Sequence, residues 1–449
     1  MSHLLLALMK LRASAPVVAL QALFVAGVLA RWHFAPRLSA ASRRAADAAI
    51  VLAALAWTLL GAADAWSNIR HPRPWDFPSF YAVADAAAHG RSFYDPHVLT
   101  AVQDELTRTQ GVPRQWLSEC GYWYLPPSVL LILPLGALRF RAAIALHYLV
   151  QGALLAGAAL LLARRWPNAR GLSAFASALL VLLAFPPVQS TIYFAQIVFG
   201  CLFCLMLAEA LLERWPIAAG AALALGFFYK HLLLVSALVP LLGRDRRTRL
   251  AALAALGGIA LALLASLGVF GVGILSSYAA NGPGARSPQL AIDPVVQSLL
   301  ALLYRALHAT PHGTLLQIIA FPPFLLALGV LGLVTLACLW RPADSPARRR
   351  LGFWLVASFA VLVYPNTLIS TLALLAPAAL VAAGAGLAAG APFALVATAL
   401  ALVWAVPGWV PVQAGWTALL VWSAFAALIL APRSARDGSR AAAALSGRT

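Results

Sequence analysis

Acidic residues are scarce in this chain, and several lie in one polar stretch, His71–Pro96, which follows the apolar run Ala48–Trp66. Asp76 stands near the start of this stretch, between Trp75 and Phe77. A carboxylate at a partly apolar boundary is more basic than one in water and can accept a proton from a reacting hydroxyl group. Asp76 is therefore the first candidate for a catalytic residue, and the alternative is a solvated loop aspartate.

Two further aspartates of this stretch have simpler explanations. Asp95 lies between Tyr94 and Pro96, and an aspartate before a proline favours a turn. Asp85 falls within Ser79–His89, a segment whose pattern predicts a helix along the membrane surface, and its spacing places it on a solvated face of that helix. We therefore expect neither residue to be the base.

A lysine occurs inside an apolar hairpin. Lys230 separates the pieces Ile217–Phe228 and Leu232–Leu242, each too short to cross a bilayer comfortably. The two pieces form either a re-entrant hairpin or two short tilted spans. An ionisable side chain among apolar helices is costly and by default marks a functional site. Its ammonium could bind a phosphate as a point charge, whereas the alternative is a side chain that reaches towards the water interface.

Other basic side chains could contact the same phosphate, although a solvated position explains each of them more simply. They are Arg286, Arg305, His308 and His312. The nine histidines of the chain show no H-E-x-x-H or comparable spacing, so we expect no metal site. The chain contains neither a P-loop nor a G-x-S-x-G motif, and Ser-His-Asp catalysis is not expected.

The elements that must position these residues are apolar helices. The chain is 62% hydrophobic and 10% charged, and apolar runs of about twenty residues, each able to span a bilayer, recur along it. This pattern predicts an all-α polytopic integral membrane protein with about 12 or 13 transmembrane helices. The net charge of +18 suggests a nucleic-acid partner, but the arginines cluster in short loops between spans, which is typical of positive-inside topology.

The arginine distribution also predicts the orientation. The basic linker at 31–44 and the loop Arg244–Arg249 are expected in the cytoplasm, so the loop that contains Asp76 should face the outside. We expect residues 1–47 to form a borderline first span and this linker, 48–430 the transmembrane catalytic domain, and 431–449 a cytoplasmic polar tail. The N-terminus lacks a convincing signal-peptide cleavage site and should be retained in a multi-pass protein of the cell (inner or plasma) membrane.

Two connecting segments complete this interpretation. Pro186–Gln196 is expected to be a short outer turn, and Pro294–His308 is expected to be a helix of a second outer region. With this topology the polar clusters around Asp76, around Lys230 and within Asn281–His312 all lie on one side of the membrane.

Five motifs follow one another between Asp76 and Lys230, within a region of similarity to a known family that covers roughly residues 48–390. They are an aromatic-flanked aspartate after an early span, G-x-x-x-Tyr-Asp-Pro, Tyr-x-Pro-Pro before an apolar run, a glutamine that opens a span, and a lysine at the centre of an apolar hairpin. The residues that carry them are Asp76, Gly90, Tyr94, Asp95, Pro96, Tyr124, Pro126, Pro127, Pro134, Gln196 and Lys230. The pattern resembles glycosyltransferase family 87, the polyprenol-phosphate-mannose-dependent mannosyltransferases of the GT-C membrane fold with extracytoplasmic first-loop helices.

The resemblance implies transfer of a sugar, expected to be mannose, from a polyprenyl phosphate to a lipid or glycan acceptor on the extracytoplasmic face, with inversion and without a cofactor. Asp76 matches the proposed general base of the family. The expected donor phosphate or sugar ligands are Lys230, Gln196, Arg286, Gln297 and His308, and the expected acceptor-side or supporting residues are Tyr81, Tyr94, Asp95 and Tyr124. The chain departs from the family in two places, because Tyr364–Thr367 holds no acidic residue and His231 replaces a commoner proline.

The residue chemistry supports the same interpretation independently. Inverting transfer needs one base for the acceptor hydroxyl and cations for the leaving phosphate, and a lipid monophosphate requires no metal. The expected partners are a polyprenyl-phosphate sugar, the acceptor and the membrane, and no nucleic acid. Two alternatives stay open. A transporter or flippase of lipid-linked sugars should show internal repeats and paired broken helices, of which one pair is evident here. The other alternative is a catalytically silent membrane scaffold.

Overall fold

The computed structural model describes residues 38–73, 76–114, 124–164, 171–281, 298–312, 315–365, 369–389 and 414–430, with a few single residues at 24–31, 122, 296 and 367. The described residues form helices joined by turns, and they contain no β-strand. The all-α class predicted from the apolar runs is therefore confirmed. The first apolar run, 14–30, and the polar tail lie largely or wholly outside the described residues.

The described residues contain eighteen α-helices. We number them α1 Ala40–Arg70, α2 Asp76–Ala88, α3 Pro96–Gln110, α4 Pro126–Ile132, α5 Phe140–Ala163, α6 Gly171–Ala184, α7 Pro186–Phe194, α8 Val198–Leu211, α9 Pro216–Tyr229, α10 Leu233–Leu238, α11 Arg246–Phe270, α12 Gly273–Asn281, α13 Leu299–Ala306, α14 Leu315–Ile319, α15 Pro322–Trp340, α16 Pro346–Val363, α17 Leu375–Ala389 and α18 Ala414–Leu430.

Among the described residues, four helices, α1, α5, α11 and α15, are long and apolar enough to cross a membrane. Helices α6 and α7 together are also long and apolar enough to cross a membrane, although the chain bends by 73° between them. Several other helices are as apolar but only 10–17 residues long. The chain is therefore a polytopic membrane protein, and the count of about 12 or 13 spans stays a prediction.

The first loop, which follows α1 and contains α2, α3 and α4, folds into a compact unit around α2. This helix packs against α3, against α4 and against the 3-10 turn Leu133–Ala137 that continues α4. Gly136 approaches the carbonyl oxygen of Ala84 so closely that a Cβ atom there would overlap it. The helix predicted over Ser79–His89 is confirmed and begins three residues earlier, at Asp76.

The predicted solvated position of Asp85 is wrong. Its side chain is buried on α2, with 7% of the residue exposed, and it lies 3.8 Å from the guanidinium of Arg91 and 3.5 Å from the ring of His89. The reason is that α2 is covered by other elements of the loop on more than one side, so its polar position falls inside the loop unit rather than on its surface.

Two segment predictions also need correction. The expected outer turn over Pro186–Gln196 is a nine-residue helix, α7, because Pro186 and Pro187 occupy its first turn, where a missing N–H costs nothing. The expected helix over Pro294–His308 is shorter within the described residues. It runs from Leu299 to Ala306 and is capped by the side chain of Ser298.

The break at Lys230 follows the prediction. Helix α9 ends at Tyr229, Lys230 takes an extended conformation with φ −151° and ψ 121°, and α10 begins at Leu233. Gly200 on α8 lies against the ring of Tyr229, and a Cβ atom there would overlap that ring. The glycine therefore allows the end of α9, and with it Lys230, to lie close to α8.

Candidate active site

The carboxylate of Asp76 lies in the first turn of α2, at the end of the helix that faces the link between α7 and α8. Its Oδ2 atom accepts a hydrogen bond from Nε2 of Gln196. Burial raises the pKa of Asp76 to about 6, while the positive charge of Lys230 and the hydrogen bond from Gln196 act in the opposite direction. The group can therefore be ionised at neutral pH and still be basic enough to accept a proton.

Gln196 is presented to Asp76 by a tight turn. Ala195 ends α7 in the left-handed region with φ 52°, and the backbone N–H of Gln196 donates to the carbonyl oxygen of Thr191 at 3.0 Å. The glutamine is buried, and among the described residues its Oε1 atom has no hydrogen-bond partner. The amide nitrogen of Gln196 therefore binds the carboxylate, and its amide oxygen can accept a hydrogen bond from another group.

Lys230 is the second charged group of the site and is 4% exposed. Its Nζ atom donates to the hydroxyl group of Tyr124 at 3.0 Å and lies 5.2 Å from the centre of that ring. Within the described residues no carboxylate lies within 4.0 Å of this ammonium, although its charge acts on Asp76. A buried cation without an ion-pair partner is suited to bind an anion.

Tyr124 is held in place from two directions. The hydroxyl group of Tyr94 donates to the carbonyl oxygen of Tyr124 at 2.7 Å. The backbone N–H of Leu125 donates to Nε2 of His231 at 2.9 Å, and Ser128 Oγ lies 3.2 Å from the same nitrogen. Burial raises the pKa of Tyr124 far above its ordinary value, so its hydroxyl group stays protonated beside Lys230.

Two expected supporting residues have structural roles. The hydroxyl group of Tyr81, which is fully buried, donates to the carbonyl oxygen of Leu138 at 2.6 Å and ties α2 to the end of the loop. Asp95 caps α3 and accepts from the backbone N–H of His97 at 2.8 Å. This capping role is the turn-forming role that the sequence indicated for Asp95.

Of the remaining expected donor ligands, the structure describes only His308, and His308 is not brought to this cluster. His308 is exposed just beyond α13, and the described residues show no contact between it and Asp76, Gln196 or Lys230. Arg286 and Gln297 lie outside the described residues, so their assignment to the donor stays a prediction.

Sequence reasoning missed the role of His231. It appeared only as a departure from a family pattern, whereas the structure uses it to join the tip of the α9–α10 hairpin to the start of α4. The centre of the His231 ring lies 5.7 Å from the centre of the Tyr124 ring and 5.2 Å from that of Phe227. The available signal was a second polar side chain beside a lysine in an apolar hairpin.

The fold and this cluster define a polytopic membrane protein with a partly buried carboxylate and a buried ammonium at one site. Residues 122–365, more than half of the chain, match the model of glycosyltransferase family 87. The chain belongs to that family, and its class of reaction is glycosyl transfer. Comparisons with curated proteins and with solved structures found no match. Asp76 precedes the matched residues, so its role rests on the geometry described above.

Proposed function

We propose that the protein transfers a sugar, expected to be mannose, from a polyprenyl phosphate to a hydroxyl group of a lipid or glycan acceptor on the extracytoplasmic face of the membrane, with inversion. The observation that carries this proposal is the charge of the buried Lys230 acting on the partly buried Asp76, in a chain of a glycosyltransferase family. Asp76 is assigned the role of base and Lys230 that of the phosphate ligand.

The base step follows from the setting of Asp76. Its carboxylate takes the proton of the acceptor hydroxyl group while the hydroxyl oxygen forms a bond to the anomeric carbon of the sugar. Gln196 holds one carboxylate oxygen by a hydrogen bond and leaves the other for the acceptor. A single displacement on the face opposite the leaving group inverts the configuration at that carbon.

The leaving-group step follows from the setting of Lys230. As the bond between the anomeric carbon and the phosphate oxygen breaks, negative charge builds up on the polyprenyl phosphate. A buried ammonium stabilises that charge more strongly than an exposed one because little water screens it. Tyr124, which stays protonated, positions the ammonium. One cation for one monophosphate requires no metal or cofactor in this proposal.

Family membership favours a transferase over the transporter or flippase alternative. No feature of the described residues supports transport specifically.

The test uses purified full-length protein in nanodiscs with radiolabelled polyprenyl-phosphate mannose and lipids extracted from the producing cells. We expect label to move from the donor to a larger lipid or glycan, and we expect the Lys230→Met variant to slow this transfer by about 10²–10³. Polyprenyl-phosphate glucose and GDP-mannose serve as comparison donors. Transfer from GDP-mannose and none from either lipid donor would overturn the proposal.

A further inference from the structure

A cavity of about 430 Å³ lies between α1 and α5, beside the candidate active site. The lining includes Ala195 and Gln196, the residue that donates to Asp76. Leu179, Leu183 and Phe199 form an apolar wall. Gln196 therefore lines the cavity and also contacts the carboxylate of Asp76.

One face of each long helix lines the cavity. On α1 the lining positions recur at helical spacing and are mostly small, and they are Thr58, Gly61, Ala62, Ala65, Trp66 and Ile69. On α5 the small residues Gly152 and Ala156 continue the space. A Cβ atom added to Gly152 would meet nothing within 4 Å. Because α1 and α5 are apolar helices of membrane-spanning length, a cavity between them is expected to lie at the depth of the lipid chains.

Three polar atoms of buried lining residues have no hydrogen-bond partner among the described residues. They are Nε2 of His147, Oε1 of Gln151 and Oε1 of Gln196, on residues that are 6%, 5% and 3% exposed. The ring of His147 packs against the ring of Phe77, with 4.8 Å between their centroids, so the group is held in place. Buried polar atoms without partners are costly, and hydroxyl groups of a ligand would satisfy all three.

Among the described residues that line the cavity, none carries a charged side chain. A phosphate group would therefore find no cation here, whereas Lys230 lies outside the lining and is buried next to Tyr124. A neutral headgroup with hydroxyl groups fits the three polar atoms, and an apolar chain fits the small and apolar residues.

We infer that this cavity binds the acceptor, and that the acceptor is a lipid with a neutral, hydroxyl-bearing headgroup that enters from the membrane between α1 and α5. The inference rests on the proposed function and narrows its acceptor class. The acceptor hydroxyl group would reach Asp76 past Gln196, while the donor phosphate stays at Lys230. The proton then passes from the acceptor oxygen to Asp76, as in the base step above.

The test measures binding without turnover. The full-length protein in nanodiscs is irradiated with a diacylglycerol that carries a diazirine in one acyl chain, and labelled peptides are mapped by mass spectrometry. We expect labels on α1 and α5 in the peptides that contain Gly61 and Gly152. Gly152→Phe should fill the cavity and reduce labelling about tenfold or more, with the smaller Gly152→Leu in reserve if the first variant does not fold. Gln151→Leu should reduce it about 2–10-fold, the effect of one neutral hydrogen bond.

The matched control is Gly257→Phe, on an exposed face of α11 where an added Cβ atom also meets nothing within 4 Å. It should leave the labelling unchanged. An excess of unlabelled polyprenyl phosphate should not compete, and competition would assign the cavity to the donor chain and overturn the inference. Equal labelling of the Gly152→Phe variant and the unmodified protein would also overturn the inference. Sugar transfer without this labelling would reject the cavity alone, whereas labelling without any transfer would reject the proposed function.

Discussion

Gln196 donates a hydrogen bond from its amide nitrogen to Oδ2 of Asp76, across 120 residues of chain. The bond joins the start of α2 to the link between α7 and α8, and the positive charge of Lys230 acts on the same carboxylate. Burial makes Asp76 more basic, and these two partners keep it from becoming a neutral acid at neutral pH. Changing each partner separately should therefore give a distinct result.

Asp76→Asn should lower the rate of sugar transfer by about 10²–10⁴, because an amide cannot accept the proton of the acceptor hydroxyl group. Donor binding should survive, since the carboxylate is assigned to the acceptor and not to the phosphate. Single-turnover transfer and equilibrium donor binding separate the two effects. Asp95→Asn is the control in the same loop and should be nearly silent, because asparagine caps a helix about as well as aspartate. A normal turnover rate for Asp76→Asn would rule out the proposed base.

Activity should fall as the pH drops through about 6, because the raised pKa of Asp76 lies there and only the ionised carboxylate can act as base. Lys230→Met should move this acid limb of the pH–rate profile to higher pH, since the lysine charge lowers the pKa of Asp76. The same variant should lower the rate by about 10²–10³ through the lost stabilisation of the leaving phosphate. The measurement is the pH dependence of kcat/KM for both proteins. An unmoved limb in Lys230→Met would show that the two charges are not coupled.

Gln196→Leu should also raise the pKa of Asp76, because it removes the hydrogen bond to the charged form. A hydrogen bond to a charged group contributes about 1.5–3 kcal/mol, which corresponds to a shift of about 1–2 pH units in the acid limb. The comparison variant is Gln189→Leu, whose amide donates to the carbonyl oxygen of Leu183 instead. It should lower the thermal stability and leave the limb where it is. An equal shift of the acid limb in both variants would show that the hydrogen bond from Gln196 does not specifically set the pKa of Asp76.

Gly200→Ala should destabilise the protein by about 1–3 kcal/mol, because the new methyl group overlaps the ring of Tyr229 in a well-packed region. Displacement of Tyr229 should also disturb its neighbour Lys230 and weaken donor binding. The thermal unfolding midpoint in detergent and the donor affinity measure the two effects. Gly257→Ala, at an open helical position, should be neutral or slightly stabilising. Equal midpoints for the two variants would contradict the packing described here.

The side of the membrane that the site faces can be tested by cysteine labelling. Ser92 in the first loop and Arg246 at the start of α11 are both exposed in the structure. The native Cys120 is first replaced by serine so that it cannot react with the reagent. In cells with an intact cytoplasmic membrane, an impermeant maleimide should then label Ser92→Cys and should leave Arg246→Cys unlabelled. The opposite pattern would place the Asp76 loop in the cytoplasm.

The amino-acid sequence by itself determined the helical membrane class, the broken hairpin around Lys230 and the helix that follows Asp76. Each of these depends on hydropathy and helix-end chemistry within one segment, which neighbouring residues in the chain supply. The sequence could also single out Asp76 and Lys230 as unusual, because a charged residue beside an apolar run can be recognised from its neighbours in the chain.

Only the tertiary structure decided which of these residues meet. The hydrogen bond of Gln196 to Asp76, the contact of Lys230 with Tyr124 and the link from His231 to Leu125 each join segments more than 100 residues apart. The burial of Asp85 reversed a local prediction, because a helix pattern cannot show how many sides of the helix other elements will cover. The cavity between α1 and α5 exists because small residues of two distant segments face each other, and that pairing is a property of the packed helices alone.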